Sequence, residues 1–162
     1  MHYRLRVECW NEINNNDWTL DICGPSEQKY LNKIKLMKES NKINFIKPVY
    51  TDNKKIRLFE KYDVFLLPSF SENFGISILE SLARGLPVLT TTNTPWANIK
   101  AFNAGLIIKS NLKYLKSTLI KIFKSSDNDF YIKSRNAIKL SKKYSWNTIS
   151  KLYIDTYHQL LN

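Results

Sequence analysis

Two glutamates stand eight residues apart in the stretch that runs from Pro68 to Gly85, PSFSENFGISILESLARG. Glu72 falls in a polar turn after an apolar run, and Glu80 falls within an apolar pattern of helical period. Eight helical residues rise about 12 Å, which is comparable to the length of a diphosphate with a sugar at each end. One carboxylate could then accept hydrogen bonds from the hydroxyls of a sugar, and the other from a ribose diol.

The residues between the two glutamates supply backbone donors. Asn73 can cap the predicted helix, and Gly75 allows a ligand to approach the backbone closely. The amides of Phe74, Gly75 and Ile76 lie at the helix start, where N–H groups lack helical partners and attract anions such as phosphate. A purely structural explanation stays open, because Glu near a helix start complements the helix dipole and a Glu two turns later can be solvated.

Glu80 also lies among apolar residues, ISILESLA, on a helix that is expected to pack on a sheet. A half-buried carboxylate is costly unless it is paired or hydrogen-bonded. A ligand diol is one candidate partner for it.

The elements that must position these residues alternate between strand and helix patterns. The predicted strands are 18–23, 43–46, 63–67, 87–91 and 105–108, and the predicted helices are 5–13, 26–39, 56–62, 75–84, 96–102, 112–124, 130–142 and 146–161. This alternation predicts an α/β fold, a Rossmann-like doubly wound parallel sheet with helices on both faces. Ligands bind at the carboxyl ends of such strands, so the loops after residues 23, 46, 67 and 91 are expected to carry the chemistry.

The length of 162 residues fits one domain, with a C-terminal helical segment at about 146–161. The chain has 25 basic and 14 acidic residues, for a net charge of +11. The basic residues are mostly single lysines without a basic run or an arginine-rich motif, which argues against a nucleic-acid partner. Peripheral contact with an anionic membrane surface stays open, with the basic amphipathic stretch 112–124 as its candidate.

Other site types find little support in the sequence. Cys9 and Cys23 form no CxxC pair, and His2 and His158 have no ligand-spaced neighbours, so neither a disulfide framework nor a metal site is expected. No apolar run approaches the roughly 20 residues of a membrane span, and no signal peptide is recognised, so a cytoplasmic location is expected. Five aromatic residues are expected in the core rather than in a stacking platform: Trp10, Trp18, Phe65, Phe74 and Trp146.

The segment ENFGISILE, from Glu72 to Glu80, resembles the Glu-x7-Glu signature of retaining glycosyltransferases with the GT-B fold, family 4 or group 1. The flanking segments 63–69 and 82–88 resemble the stretches around that motif, and 94–96 resembles a variant common in bacterial polysaccharide assembly. Residues 18–25 and 43–49 resemble two earlier strands of the same domain. The resemblance covers about residues 5–160, which corresponds to the C-terminal, donor-binding domain of these enzymes.

The resemblance implies roles for the matching positions. Glu72, the catalytic candidate, would hold hydroxyls of the donor sugar, and the backbone from Asn73 to Ile76 would bind the sugar and diphosphate. Glu80 would bind the ribose, and the backbone at Pro48 and Val49 would lie by the nucleobase. Such enzymes need no metal or other cofactor, because helix amides and basic side chains stabilise the leaving diphosphate.

The expected function is therefore the binding of a nucleotide-activated sugar for retaining hexosyl transfer in bacterial-type polysaccharide or lipopolysaccharide assembly. The N-terminal domain that would bind a saccharide or lipid-linked acceptor is expected to be absent, as are an Arg and a Lys that usually precede the first helix. The chain alone is therefore expected to be inactive. Lys47 stands where the family often has Gly, which affects the expected base-binding geometry. The alternative is a basic, non-catalytic interaction domain with a Rossmann-like fold, for nucleic acid or for the inner face of the membrane.

Overall fold

The computed structural model describes residues 2–13, 17–24 and 28–161. The helices are α1 His2–Asn11, α2 Gln28–Leu36, α3 Asp52–Phe59, α4 Ile76–Ala83, α5 Asn98–Ala101, α6 Leu112–Phe123, α7 Asp127–Ser141 and α8 Trp146–Leu161, with a short 3-10 turn at Lys142–Tyr144. The strands are β1 Leu20–Cys23, β2 Ile43–Ile46, β3 Phe65–Leu67, β4 Val88–Thr91 and β5 Gly105–Ile108.

All strand pairs found in the described residues are parallel, as the alternation of strand and helix patterns predicts. β1 pairs with β2, and β3, β4 and β5 form a second ladder in that order. The two ladders share one hydrophobic core, in which Leu20, Ile22 and Ile43 from the first ladder pack with Leu89 and Ile108 from the second.

Helices cover both faces of the strands, which confirms the doubly wound, Rossmann-like α/β fold. Successive strand residues point to opposite faces. On β4, Val88 packs with buried residues of α4, α5 and α7, whereas Leu89 packs with buried residues of α1, α2 and α6. On β5, Ile107 and Ile108 divide between the same two clusters. β4 is buried along its whole length, as expected for a strand between two helical layers.

Side-chain caps fix the start of two helices on the C-terminal side. The Asn111 side chain accepts a hydrogen bond from the Tyr114 amide at the start of α6. The Ser126 side chain accepts one from the Asp129 amide, so α7 begins at Asp127 and not at about 130 as predicted. The predicted cap at Ser26 lies outside the described residues, and α2 ends at Leu36, before the predicted end at 39.

The aromatic residues correct part of the predicted core. Trp10 is buried, and Trp18 stacks on Phe123 with 5.1 Å between ring centroids. Trp146 is 86% exposed, so its prediction as a core residue is wrong. Trp146 is the first residue of α8. No residue of this helix is buried, so its apolar side chains do not contribute to the core. Phe74 is also more exposed than predicted, at 38%.

Candidate functional site

The candidate site lies at the carboxyl edge of the strands, where the loops predicted to carry the chemistry meet. Parallel strands end at the same edge, and ligands of doubly wound folds bind there. The described part of this edge consists of Gly24 after β1 and of the loops 47–51, 68–75, 92–97 and 109–111. These loops contain every residue predicted for the site except Ile76 and Glu80, which lie on the helix α4.

Hydroxyl groups of β4 hold the loop that carries Glu72. The buried Thr90 Oγ1 donates a hydrogen bond of 2.9 Å to the Leu67 carbonyl oxygen at the end of β3. The buried Thr91 Oγ1 donates to the carbonyl oxygen of Ser69, two residues further along the loop. Because β4 is buried along its whole length, these bonds tie the loop to the interior of the sheet. The apolar sequence pattern of β4 did not predict that Thr90 and Thr91 hold this loop.

Glu72 lies in the loop between β3 and α4, where the sequence places it. Its side chain is half-buried. Within the described ranges, no protein group forms a hydrogen bond or an ion pair with the Glu72 carboxylate. A half-buried carboxylate without a protein partner is suited to accept hydrogen bonds from the hydroxyls of a ligand.

The start of α4 depends on Gly75. Its backbone is left-handed, with φ of 77° and ψ of 63°, a conformation that glycine adopts at little cost. The backbone N–H groups of Phe74, Gly75, Ile76 and Ser77 find no acceptor among the described residues. They are the orphan donors of a helix start, which favour negative charge.

An aromatic cluster supports the backbone just before this helix start. The Trp96 Nε1 group donates a hydrogen bond to the carbonyl oxygen of Phe74. The ring centroids of Phe74 and Trp96 are 5.2 Å apart, and those of Trp96 and Tyr144 are 4.9 Å apart. Trp96 is fully buried, so the cluster connects the loop to the core between α4 and α7. Phe74 therefore holds the backbone before α4 in place through its ring contacts and its carbonyl group, although its ring is partly exposed.

Glu80 lies on the second turn of α4, between the buried residues Ile78 and Leu82. Its carboxylate forms an ion pair of 2.8 Å with Lys55 of α3, and both side chains are about one-third exposed. The hydrogen bond from Lys55 to Glu80 raises the pKa of the lysine above its ordinary value, so the ammonium group stays charged at neutral pH. The half-buried carboxylate thus has a protein partner, which the sequence analysis did not identify.

The loop 47–51 brings Pro48 and Val49 to the same edge. Both residues are half-buried, whereas Lys47 is exposed. The Cys23 thiol at the end of β1 donates a hydrogen bond of 3.5 Å to the Lys47 carbonyl oxygen, which connects the loops after β1 and β2. Burial raises the pKa of Cys23, and it raises the pKa of Cys9 to about 12. Both thiols are therefore protonated at neutral pH and poorly suited to nucleophilic chemistry.

Two grooves lie away from this edge. One, of about 440 Å³, runs along α7 beside Tyr131 and Arg135. The other, of about 390 Å³, is lined by Val64, Pro87 and Gly105 at the amino ends of the strands and by residues of α6 and α7. Neither groove includes a residue of the loops that form the candidate site.

No group of metal-ligating side chains is found in the part of the chain that the structure describes. Among the same residues, no helix is both long enough and apolar enough to cross a membrane.

Comparison with known proteins connects this geometry to one family. Residues 5–143 match the family described as Glycosyl transferases group 1. The chain is 26% identical over 164 aligned residues to the glycogen synthase of Mycoplasma mobile, and the match covers 93% of this chain and 34% of that protein. The chain thus spans about a third of the length of this glycogen synthase, and also of a D-inositol 3-phosphate glycosyltransferase from Corynebacterium urealyticum that it matches.

Solved structures support the fold. A glycosyltransferase from Rickettsia africae superposes with a TM-score of 0.81 at 20% identity, over 99% of this chain and 44% of that one. Anabaena HepE, solved in complex with UDP, superposes with a TM-score of 0.75 at 16% identity, over 98% of this chain and 45% of that one.

Proposed function

Because this chain belongs to the glycosyl transferases group 1 family, we propose that it binds a nucleoside diphosphate sugar at the carboxyl edge of its sheet. The observation that carries the proposal is the pair of half-buried carboxylates around the helix start, one before α4 and one on its second turn. In this proposal, Glu72 accepts hydrogen bonds from the donor sugar and Glu80 accepts them from the ribose.

The diphosphate would lie against the start of α4. The free amides of Phe74, Gly75 and Ile76 would donate to its oxygens, and the positive end of the helix dipole would favour its charge. The same donors would stabilise the negative charge that develops on the leaving diphosphate during transfer. In this proposal, these donors stabilise the diphosphate and no metal ion is required. HepE, which has the same fold, was solved with UDP, and this supports the nucleotide assignment.

The nucleobase would lie beside the backbone of Pro48 and Val49. The proposal extends to retaining transfer of a hexose onto a saccharide or lipid-linked acceptor in polysaccharide or lipopolysaccharide assembly. It also places the domain in the cytoplasm, with peripheral contact at the inner face of the membrane. A polyanion-binding domain is disfavoured, because two acidic side chains at the ligand edge would repel nucleic acid.

The test is a calorimetric titration of the chain with UDP, GDP and their sugar conjugates. Glu80→Ala should weaken the binding of every nucleoside diphosphate, because all of them carry the ribose. Glu72→Ala should weaken only the binding of the sugar conjugates. The matched control is Glu60→Ala, which removes an exposed acid at the end of α3. The proposal fails if Glu72→Ala and Glu80→Ala bind UDP and the UDP-sugars as the parent chain does.

A further inference from the structure

Side chains of the segment that runs from β4 into α5 bind several carbonyl oxygens of the loop between β3 and α4. The two threonines at the end of β4 hold the start of this loop. The Asn93 Nδ2 atom donates a hydrogen bond of 3.0 Å to the Phe70 carbonyl oxygen. The Trp96 Nε1 group donates to the carbonyl oxygen of Phe74, the residue before Gly75. The bond from Trp96 is therefore the last contact of this series before α4 begins.

The hydrogen bond from Trp96 fixes the direction of one backbone N–H group. A peptide group is planar, and in its trans form the C=O and N–H bonds point in opposite directions. The peptide group between Phe74 and Gly75 is trans. Because the Phe74 carbonyl points at the indole, the Gly75 N–H points directly away from it. Trp96 is buried between α4 and α7, so this N–H faces away from the core.

Gly75 by itself leaves this direction open. Glycine adopts both left-handed and right-handed backbone conformations at little cost, so the local sequence does not set the orientation of the peptide group before it. Among the described residues, the Gly75 N–H also finds no acceptor that would hold it. Within the described residues, the contact that holds this peptide group is therefore the one from Trp96 to the Phe74 carbonyl oxygen.

Trp96 is itself held in place from several sides. The Thr94 Oγ1 atom donates a hydrogen bond of 3.0 Å to the Thr91 carbonyl oxygen, which ties the loop before Trp96 to the end of β4. The Ile99 amide donates a hydrogen bond of 3.0 Å to the Trp96 carbonyl oxygen. The Tyr144 ring packs against the indole at 4.9 Å between centroids. The indole is therefore a fixed donor that can orient the peptide group before Gly75.

We propose that Trp96 is a positioning residue for the diphosphate. Its indole N–H holds the Phe74 carbonyl inward and thereby directs the Gly75 N–H at the phosphate oxygens of the ligand. Trp96 acts through this peptide group and does not touch the ligand. A donor that is oriented before the ligand arrives requires no reorganisation when negative charge develops on the diphosphate. The inference rests on the proposed function, because it concerns the diphosphate bound at that site.

The first test compares the binding of UDP and uridine, which differ by the diphosphate, in NMR titrations of the parent chain and of Trp96→Phe. Phenylalanine keeps an aromatic ring but has no N–H donor. The preference for UDP over uridine should fall about tenfold in Trp96→Phe, the loss of one charged hydrogen bond, while the affinity for uridine stays the same. The matched control is Trp10→Phe, the same change at a buried tryptophan of the other core cluster, which should keep the preference of the parent chain.

A second measurement uses the parent chain without a substitution. Hydrogen bonds in a chain polarise one another, so an N–H that donates to a phosphate makes the carbonyl of its peptide group a stronger acceptor. UDP should therefore move the indole proton resonance of Trp96 downfield together with the Gly75 amide resonance, and uridine should move neither. The indole resonances of the other tryptophans should stay in place: Trp10, Trp18 and Trp146.

The outcomes separate this positioning role from the proposed function. The role is refuted if the parent chain prefers UDP over uridine and Trp96→Phe keeps the same preference. It is also refuted if UDP binds without moving the Trp96 indole resonance, or if Trp96→Phe loses affinity for UDP and uridine alike, which would assign the tryptophan to packing alone. A parent chain that binds no UDP contradicts the proposed function, and the positioning role fails with it.

Discussion

At the scale of single residues, the sequence indicates where the carboxylates lie but not what surrounds them. The loop position of Glu72 and the helical position of Glu80 follow from the apolar strand before them and from Gly75 between them. The ion pair of Glu80 with Lys55 could not be predicted, because it depends on how α3 packs beside α4. The chain has 25 lysine and arginine residues, and nothing local distinguishes Lys55 from the others.

The Lys55–Glu80 pair leads to a prediction about affinity. Lys55 bonds one oxygen of the Glu80 carboxylate. In the proposed function, this contact would orient the other oxygen toward the ribose diol. We expect Lys55→Met to weaken UDP and GDP binding alike, by up to about fivefold, since a partly exposed ion pair contributes at most about 1 kcal/mol. Titration calorimetry measures the effect. The matched control is Lys54→Met, the same change at the neighbouring exposed position of α3. Equal losses in both variants would assign the effect to net charge and contradict the orienting role.

At the scale of the elements, the sequence predicts most of the fold. β2, β5 and α8 have the predicted bounds, because Gly or polar residues flank clear apolar patterns. The division of the strands into two ladders was not predicted, since pairing between strands is not encoded in the pattern of either strand. The hydrogen bonds from Thr90 and Thr91 were missed for a similar reason, because threonine is also an ordinary strand residue.

The two glycines that flank α4 provide a matched pair of substitutions. Gly75 before the helix and Gly85 after it both have left-handed backbones, with φ of 77° and 76°. Alanine at either position should lower the free energy of unfolding by about 1–2 kcal/mol, the usual cost of that conformation for a residue with a Cβ atom. Urea unfolding measures this loss. A new Cβ would meet the Ile78 Cδ1 atom at 3.2 Å in Gly75→Ala and the Ser134 Oγ atom at 2.8 Å in Gly85→Ala.

Only the substitution at the amino end of α4, Gly75→Ala, should affect the binding of UDP. Strain at Gly75 displaces the amides proposed to hold the diphosphate, so Gly75→Ala should also weaken UDP binding by about tenfold or more, the loss of one charged hydrogen bond. Gly85→Ala should bind UDP as the parent does, measured at a temperature where both variants are folded. Equal binding by both variants would exclude the helix start as the diphosphate site.

At the scale of the whole molecule, the candidate site is an open edge with one wall. The described residues form one doubly wound unit, and the curated relatives are about three times as long as the matched segment. The strands and α4 contain no Lys or Arg, so the net charge of +11 arises from the other helices and the connecting segments, with no basic run at the site. The described residues can therefore offer contacts to a donor from the edge of the sheet.

The last prediction is that the 162-residue chain alone transfers no sugar. Transfer requires an acceptor hydroxyl to be held against the anomeric carbon and shielded from water. At an open edge the diphosphate stays hydrated, and solvent screening weakens its stabilisation by the amides of α4. Loss of positioning alone removes roughly 7–11 kcal/mol of assistance, or about five to eight orders of magnitude in rate. The measurement is the release of nucleoside diphosphate and the formation of glycoside with a panel of nucleotide sugars and acceptors. Robust transfer that is lost in Glu72→Ala would contradict the prediction, because a second copy of the chain would then have to supply the opposite wall.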